Sequence, residues 1–303
     1  MKTVDLIYFM NLAEENYRRM KQPSAARVCD ATLKKVIAFV GRDTMSFNKL
    51  SKEWLKAFEE YLKRSLADNT VSTYLRMLQA VYNKAVYEGA ATFVPHLFKK
   101  VYKGRMPSRS RALEQRDFRA VANAPKKTLA NVARTRDLFL LMFYLRGIPF
   151  VDMAHLRRSD LRGDRLTYRR HKTGKQMVVL VEAQAMEIIK RYQNTGSNTP
   201  YLFPFLIQTN ENGFQQYESA LRCFNNQLKW LGTLLELSIP LTSYCARHTW
   251  ASFANFCDFD KKLICESMGH SSVQVTEIYF KPHEVEDIRV MNQQVIVYAL
   301  TKK

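Results

Sequence analysis

The chain has 303 residues, 47% of them apolar, with only 10 Gly and 9 Pro, enough for two domains with separate cores and pointing to a mostly helical globular protein. Lys and Arg outnumber Asp and Glu by 47 to 28, and a formal charge of +19 favours a polyanionic partner, most simply nucleic acid. A membrane protein, a secreted disulfide scaffold and a zinc protein are all disfavoured: no apolar run reaches spanning length, acids interrupt the N-terminal apolar pattern where a secretory signal would lie, and Cys29, Cys223, Cys245, Cys257 and Cys265 are odd in number without C-x-x-C spacing. Those cysteines read as reduced structural thiols of a cytosolic protein.

Leu6, Phe9, Met10 and Tyr17 recur at helical spacing, predicting a helix over 5–19. Ser24 is expected to cap a second helix whose stripe is Val28, Leu33, Val36, Ile37 and Val40, stopped by Gly41. A third helix is expected over 54–62. The fourth begins at Asp68-Asn69, carries Val71, Leu75, Leu78 and Tyr82 on one face, and stops at Gly89. Four helices without a strand pattern define a helical domain over 1–98.

Residues 99–116 form a linker with Lys99, Lys100, Lys103, Arg105, Arg109, Arg111 and Arg116 against a single Glu114. A solvated tether would explain its composition but not its one-sided charge, so contacts to a phosphate backbone are the better reading. A second domain is expected over 117–282, led in by a helix starting near Glu114. The run 137–145 is apolar on every side, which predicts a buried central helix delivering Arg146 and Gly147 at its end. Two β-type runs, 165–170 and 177–181, flank HKTGK and predict a hairpin with Lys172 and Lys175 at its tip. Helices over 183–192 and around Tyr217 to Leu231 follow, and a tail over 283–303 has enough apolar residues for one last helix.

Between Thr242 and Phe280 the chain reads as an Arg247-His248 pair leading into a short apolar helix, a second helix ending at Gly269, then His270 and Tyr279. Singly these are weak signals: a histidine after a helix-ending glycine is usually a cap, and a tyrosine on an amphipathic helix is usually core. Their order is specific. An arginine after a buried helix, a hairpin lysine, R-H-T-W-A, G-H-S-S and a tyrosine nine residues after that histidine resemble the tyrosine recombinase (phage integrase) family over essentially the whole chain. The wording R-G-x-x-F-x-D from Arg146 to Asp152 and A-R-H-T-W-A from Ala246 to Ala251 is similar to the short recombinases of Bacteroidetes-type invertases and mobile elements, which lack an arm-binding domain.

The resemblance implies a mainly α fold: an N-terminal SAM-like core-binding domain and a mostly helical catalytic domain with a small β-sheet, closing as a C-shaped clamp on double-stranded DNA. It also implies residue roles. Tyr279 attacks a phosphodiester to give a 3′-phosphotyrosyl link and a free 5′-hydroxyl. Arg247 and Arg146 stabilise the phosphate, His270 donates to it and Lys172 protonates the leaving 5′-oxygen. Free backbone N–H groups at the start of the helix bearing Tyr279 are expected to help His270. Further implications are that Lys175 and the linker cations contact DNA, that no metal or cofactor takes part, and that the tail passes to a neighbour in a homo-oligomer, dimeric on one site and tetrameric in the synapse. A cytoplasmic, nucleoid-associated location follows.

Two positions depart from the family pattern. Tyr244 stands where a histidine precedes the second arginine by three, and Pro149 falls where the first arginine is expected, leaving Arg146 to reach from three residues earlier. His248 is expected to pack rather than act. The readings weighed are a site-specific recombinase working through a Holliday junction (inversion, integration or excision), a type IB topoisomerase-like strand passer, and a catalytically inactive DNA-binding relative.

Overall fold

The computed structural model describes residues 5–104, 110–124, 132–196, 199–207 and 213–281, with 289, 292 and 293. The chain divides into two compact units, 1–107 and 108–303.

Among the described residues, the first unit holds four α-helices. In α1, Leu6–Arg19, the side chain of Asp5 accepts from the Tyr8 N–H at 2.7 Å, closing the N-terminus. The second, α2, runs Pro23–Val40 and differs from expectation at its start. Pro23 takes the first turn, where a missing N–H costs nothing, so Ser24 lies inside the helix and is not its cap. Gly41 ends it in the left-handed region. Helix α3, Lys52–Lys63, is capped by Ser51, and α4 spans Asp68–Tyr87. Leu6, Met10, Val36, Leu55, Phe58, Leu75 and Leu78 are buried together as the core of this unit.

The second unit is built on α6, Ala133–Tyr144, whose residues 135–142 are all buried. Around it lie α5, Gln115–Asn123; α7, Phe150–His155; α8, Ala183–Tyr192; α9, Gly213–Leu234; and α10, Ser243–Phe256. A three-stranded antiparallel sheet, β1 Leu161–Arg162, β2 Arg165–Arg169 and β3 Gln176–Leu180, packs Leu166, Tyr168, Met177 and Val179 into the same core. The hairpin forms where expected, with Tyr168 opposite Met177 and Gly174 at positive φ in the turn. The two-residue β1 was too short to show a strand pattern.

Two local features differ from the sequence expectation. Thr242 caps α10 and exchanges contacts with Cys245, so the helix starts at Ser243 and carries Arg247 and His248 within it. Helix α11, Lys261–Ser267, is followed by Gly269 at positive φ, and α12 is only Val273–Glu277. Tyr279 therefore stands on the turn after α12, its N–H bonded to the Thr276 carbonyl, and not on the helix itself. No described helix is long and apolar enough to cross a membrane.

Candidate active site

Arg247 is the hub. It projects from α10 with 3% exposure, held on three sides. One terminal nitrogen donates to the Gly147 carbonyl at 2.7 Å; the other reaches the Met268 carbonyl at 2.7 Å and Nε2 of His270 at 2.8 Å. A guanidinium offers five N–H donors, so these contacts fix its plane with donors to spare. Gly147 makes the approach possible: a Cβ there would lie 2.7 Å from the Arg247 Cα.

The tautomer of His270 follows from its partners. Arginine can only donate, so Nε2 of His270 accepts and the ring proton sits on Nδ1, 2.9 Å from the Thr276 hydroxyl. Burial, followed by the charges of Arg247, Arg170, Lys172 and Lys175, pushes the imidazole down to about 3. It is neutral at physiological pH. In that state the Nδ1 hydrogen is committed to fully buried Thr276, whose place on α12 sets the ring's direction.

Tyr279 packs its ring against both imidazoles, 4.9 Å from His270 and 4.5 Å from His248, and the Arg247 guanidinium carbon lies 5.5 Å from its ring centroid. The three residues that motivated the sequence reading are thus in mutual contact. Tyr244 is half exposed on the first turn of α10. Burial first, then the neighbouring Tyr279, raises its phenol, while Arg247, Arg170 and Arg111 oppose that shift. At neutral pH it is a protonated hydrogen-bond donor.

Arg170 is a site residue that sequence reasoning missed. It follows β2 immediately, is 7% exposed, and donates to the Met268 carbonyl at 2.5 Å, the same oxygen that holds Arg247. Its Nε lies 2.7 Å from a carboxylate oxygen of buried Asp152, an attraction of charge without an aligned hydrogen bond. The other Asp152 oxygen accepts from the His171 N–H at 2.7 Å. One carboxylate therefore ties the base of the Lys172 hairpin to α7. Arg146, by contrast, is partly exposed with φ at 59° and donates to the Val178 carbonyl at 3.3 Å. It still belongs to the cluster: the buried Tyr168 phenol, raised by burial and then by Asp152, feels the opposing charges of Arg170, Arg247 and Arg146.

Lys172 and Lys175 are exposed on the hairpin, and the Lys172 charge reaches His270. Lys99 and Lys100 are exposed in the first unit, and Lys103 donates to Gln79 at 3.0 Å. Exposed Arg111 lies close enough to influence Tyr244 and His248. Arg105, Arg109 and nearly all of the tail expected to form a last helix lie outside the described residues. Among the described residues, no group of His, Cys, Asp and Glu is arranged to hold a metal ion.

Residues 5–101 match the family model described as "Phage integrase SAM-like domain", and residues 111–286 match "Phage integrase family". The chain is 27% identical over 160 residues to "Tyrosine recombinase XerA" of Pyrococcus horikoshii, covering 52% of this chain and 54% of that protein. It is 26% identical over 158 residues to "Tyrosine recombinase" of Agathobacter rectalis, covering 49% and 48%. The chain thus matches about half the length of these curated relatives. In fold it is similar to the Tn1549 transposon integrase in complex with transposon right end DNA (TM-score 0.65, 13% identity, 97% of this chain and 100% of that one). A lambda integrase tetramer bound to a Holliday junction is comparable (TM-score 0.66, 12% identity, 92% and 78%).

Proposed function

The chain belongs to the phage integrase family of tyrosine recombinases, and from that membership we propose that it is a site-specific recombinase that cuts and rejoins double-stranded DNA. The observation that carries the proposal is the contact of Arg247 with both His270 and Tyr279, at 2.8 Å to the imidazole and 5.5 Å to the phenol ring. This sets a multi-donor guanidinium, oriented by a neutral imidazole, beside an oxygen nucleophile.

In the proposed reaction the Tyr279 phenol gives up its proton to solvent and its oxygen attacks the scissile phosphorus, the bond to the 5′-oxygen breaks, and a 3′-phosphotyrosyl link remains. Charge developing on the non-bridging oxygens is met by Arg247 and Arg170, which the fold holds in place before DNA arrives, with Arg146 at the rim. Because both guanidinium groups are oriented by main-chain carbonyls, little reorganisation is needed as the transition state forms. Tyr244 donates to the phosphate from the opposite end of the first turn of α10. Lys172 supplies the proton that the 5′-oxygen takes up on leaving; its exposed hairpin position suits a group that meets its target only when DNA is bound. His270, neutral and with its Nδ1 hydrogen held by Thr276, orients Arg247 in the free protein. Attack by the free 5′-hydroxyl of a partner strand reverses the chemistry and joins new ends, so bond energy is conserved in the tyrosyl ester.

The two units together are proposed to clamp duplex DNA. The linker cations, Lys99, Lys100, Lys103, Arg105, Arg109 and Arg111, would track the backbone, with Lys175 beside the cut. The lambda integrase dimer bound to a core site and the tetramer bound to a Holliday junction support a dimer on one site and a tetramer in the synapse. The tail over 283–303 is proposed to pass between protomers. A cytoplasmic, nucleoid-associated location fits that substrate.

A duplex nicked close to the cut, selected by the protein itself from a randomised pool, loses a short fragment after cleavage and traps the covalent complex. Wild type is expected to accumulate adduct and Tyr279→Phe none. Tight binding without adduct in the wild type would instead mark a binding protein. Relaxation of supercoiled plasmids lacking the selected sequence would mark a topoisomerase.

A further inference from the structure

One carbonyl oxygen, that of Tyr279, collects two buried side chains that the proposed chemistry does not use. His248 and Ser252 stand one turn apart on α10, 5% and 1% exposed. Nδ1 of His248 lies 3.2 Å from the Tyr279 oxygen, and the Ser252 hydroxyl donates to the same oxygen at 3.2 Å. The Ser252 oxygen in turn accepts from the Lys281 N–H at 2.9 Å, so the main chain is gripped on both sides of Phe280. A carbonyl only accepts, which places a proton on Nδ1 of His248. The imidazole ring also contacts the Tyr279 ring at 4.5 Å. Helix α10 thus carries Arg247 on one side chain and, through the next residue and Ser252, grips the backbone of the residue whose phenol Arg247 covers.

We propose that His248 and Ser252 are positioning residues that clamp the Tyr279 main chain to α10, holding the nucleophile in register with Arg247; this rests on the reading of Tyr279 as nucleophile. α12 has only five residues, and Tyr279 lies beyond its end, so the helix alone does not fix the phenol. The clamp supplies the missing restraint. A small misplacement of a reacting group costs rate more than affinity, so loss of the clamp should slow cleavage and leave DNA binding intact.

The test uses the full chain and the nicked duplex described above, with the adduct-formation rate measured beside the dissociation constant for the uncut duplex. His248→Phe keeps the ring contact and loses the donor; it is expected to slow adduct formation by about tenfold or more with affinity within about twofold of wild type. His248→Asn places an amide N–H near the lost Nδ1 and is expected to recover much of the rate. Ser252→Ala should slow the reaction and Ser252→Thr should restore it. Wild-type rate in both His248→Phe and Ser252→Ala would overturn the clamp, as would rescue by neither conservative variant while DNA affinity and thermal melting match wild type. Should His248→Phe fail to fold, the serine pair decides on the same terms. Tyr279→Phe run alongside separates the premises: adduct at the wild-type level there would overturn the nucleophile assignment and the clamp with it.

Discussion

Arg247 shows how one residue type is fixed by its surroundings. Two carbonyls, an imidazole nitrogen and the face of a phenol surround it, and only a planar, multi-donor cation can answer all four at once. Arg170 shares one of those carbonyls and carries the strongest residue-level prediction. Arg170→Lys keeps a positive charge near Asp152, but an ammonium cannot reproduce the guanidinium fork, so adduct formation is expected to fall by about tenfold or more. Arg146→Lys, at the rim, should cost less. Measuring both rates on the nicked duplex checks the ranking, and a larger loss in Arg146→Lys would reverse it.

The histidines give a pH prediction of definite sign. Burial depresses His270 to about 3, and burial, despite the opposing Tyr279 carbonyl, brings His248 to about 4. Both lie below the unfolded value near 6.5, so the unfolded chain takes up protons first on acidification. Their stabilising contribution is complete above about pH 6.5 and is lost as pH falls toward 4 and then 3. The midpoint of urea unfolding should therefore drop from pH 7 to pH 5. His248→Asn should flatten that slope, and an unchanged slope would contradict the assignment.

At the scale of elements, Gly147 links α6 to α10. It sits at φ 67° directly after Arg146 at φ 59°, and a methyl group there would press on the Arg247 backbone at 2.7 Å. Gly147→Ala is expected to destabilise the fold by roughly 1–3 kcal/mol and to reduce cleavage further, since relief requires moving Arg247. Denaturant unfolding and adduct rate on one preparation check both effects. The helix α4 was legible because a stripe and a stop, Gly89, coincide, and α8 was placed over 183–192. The start of α10 was not, because Thr242 and Cys245 cap it through contacts that hydrophobic periodicity does not register. Arg170 was hidden for a related reason. In RRHK every residue reads as a surface cation; only Asp152 and the Met268 carbonyl, far apart in sequence, distinguish the buried one. The available signal was the lone acid in R-G-x-x-F-x-D, an aspartate among apolar residues that needs a cationic partner.

For the whole molecule, the net charge of +19 suits the proposed role of holding a polyanion while its strands are exchanged. Binding to the selected duplex should weaken steeply with salt, since each neutralised phosphate releases close to one counterion, and a flat response would contradict contacts by the linker cations. The assignment of Tyr279 as nucleophile is tested most directly by the chemical identity of the trapped link. Digesting the adduct and sequencing the DNA-bearing peptide by mass spectrometry should place the nucleotide on Tyr279, joined to a 3′-phosphate, with the other cut end carrying a 5′-hydroxyl that polynucleotide kinase labels without prior phosphatase. Attachment at another residue, or a 5′-phosphate at the free end, would contradict it.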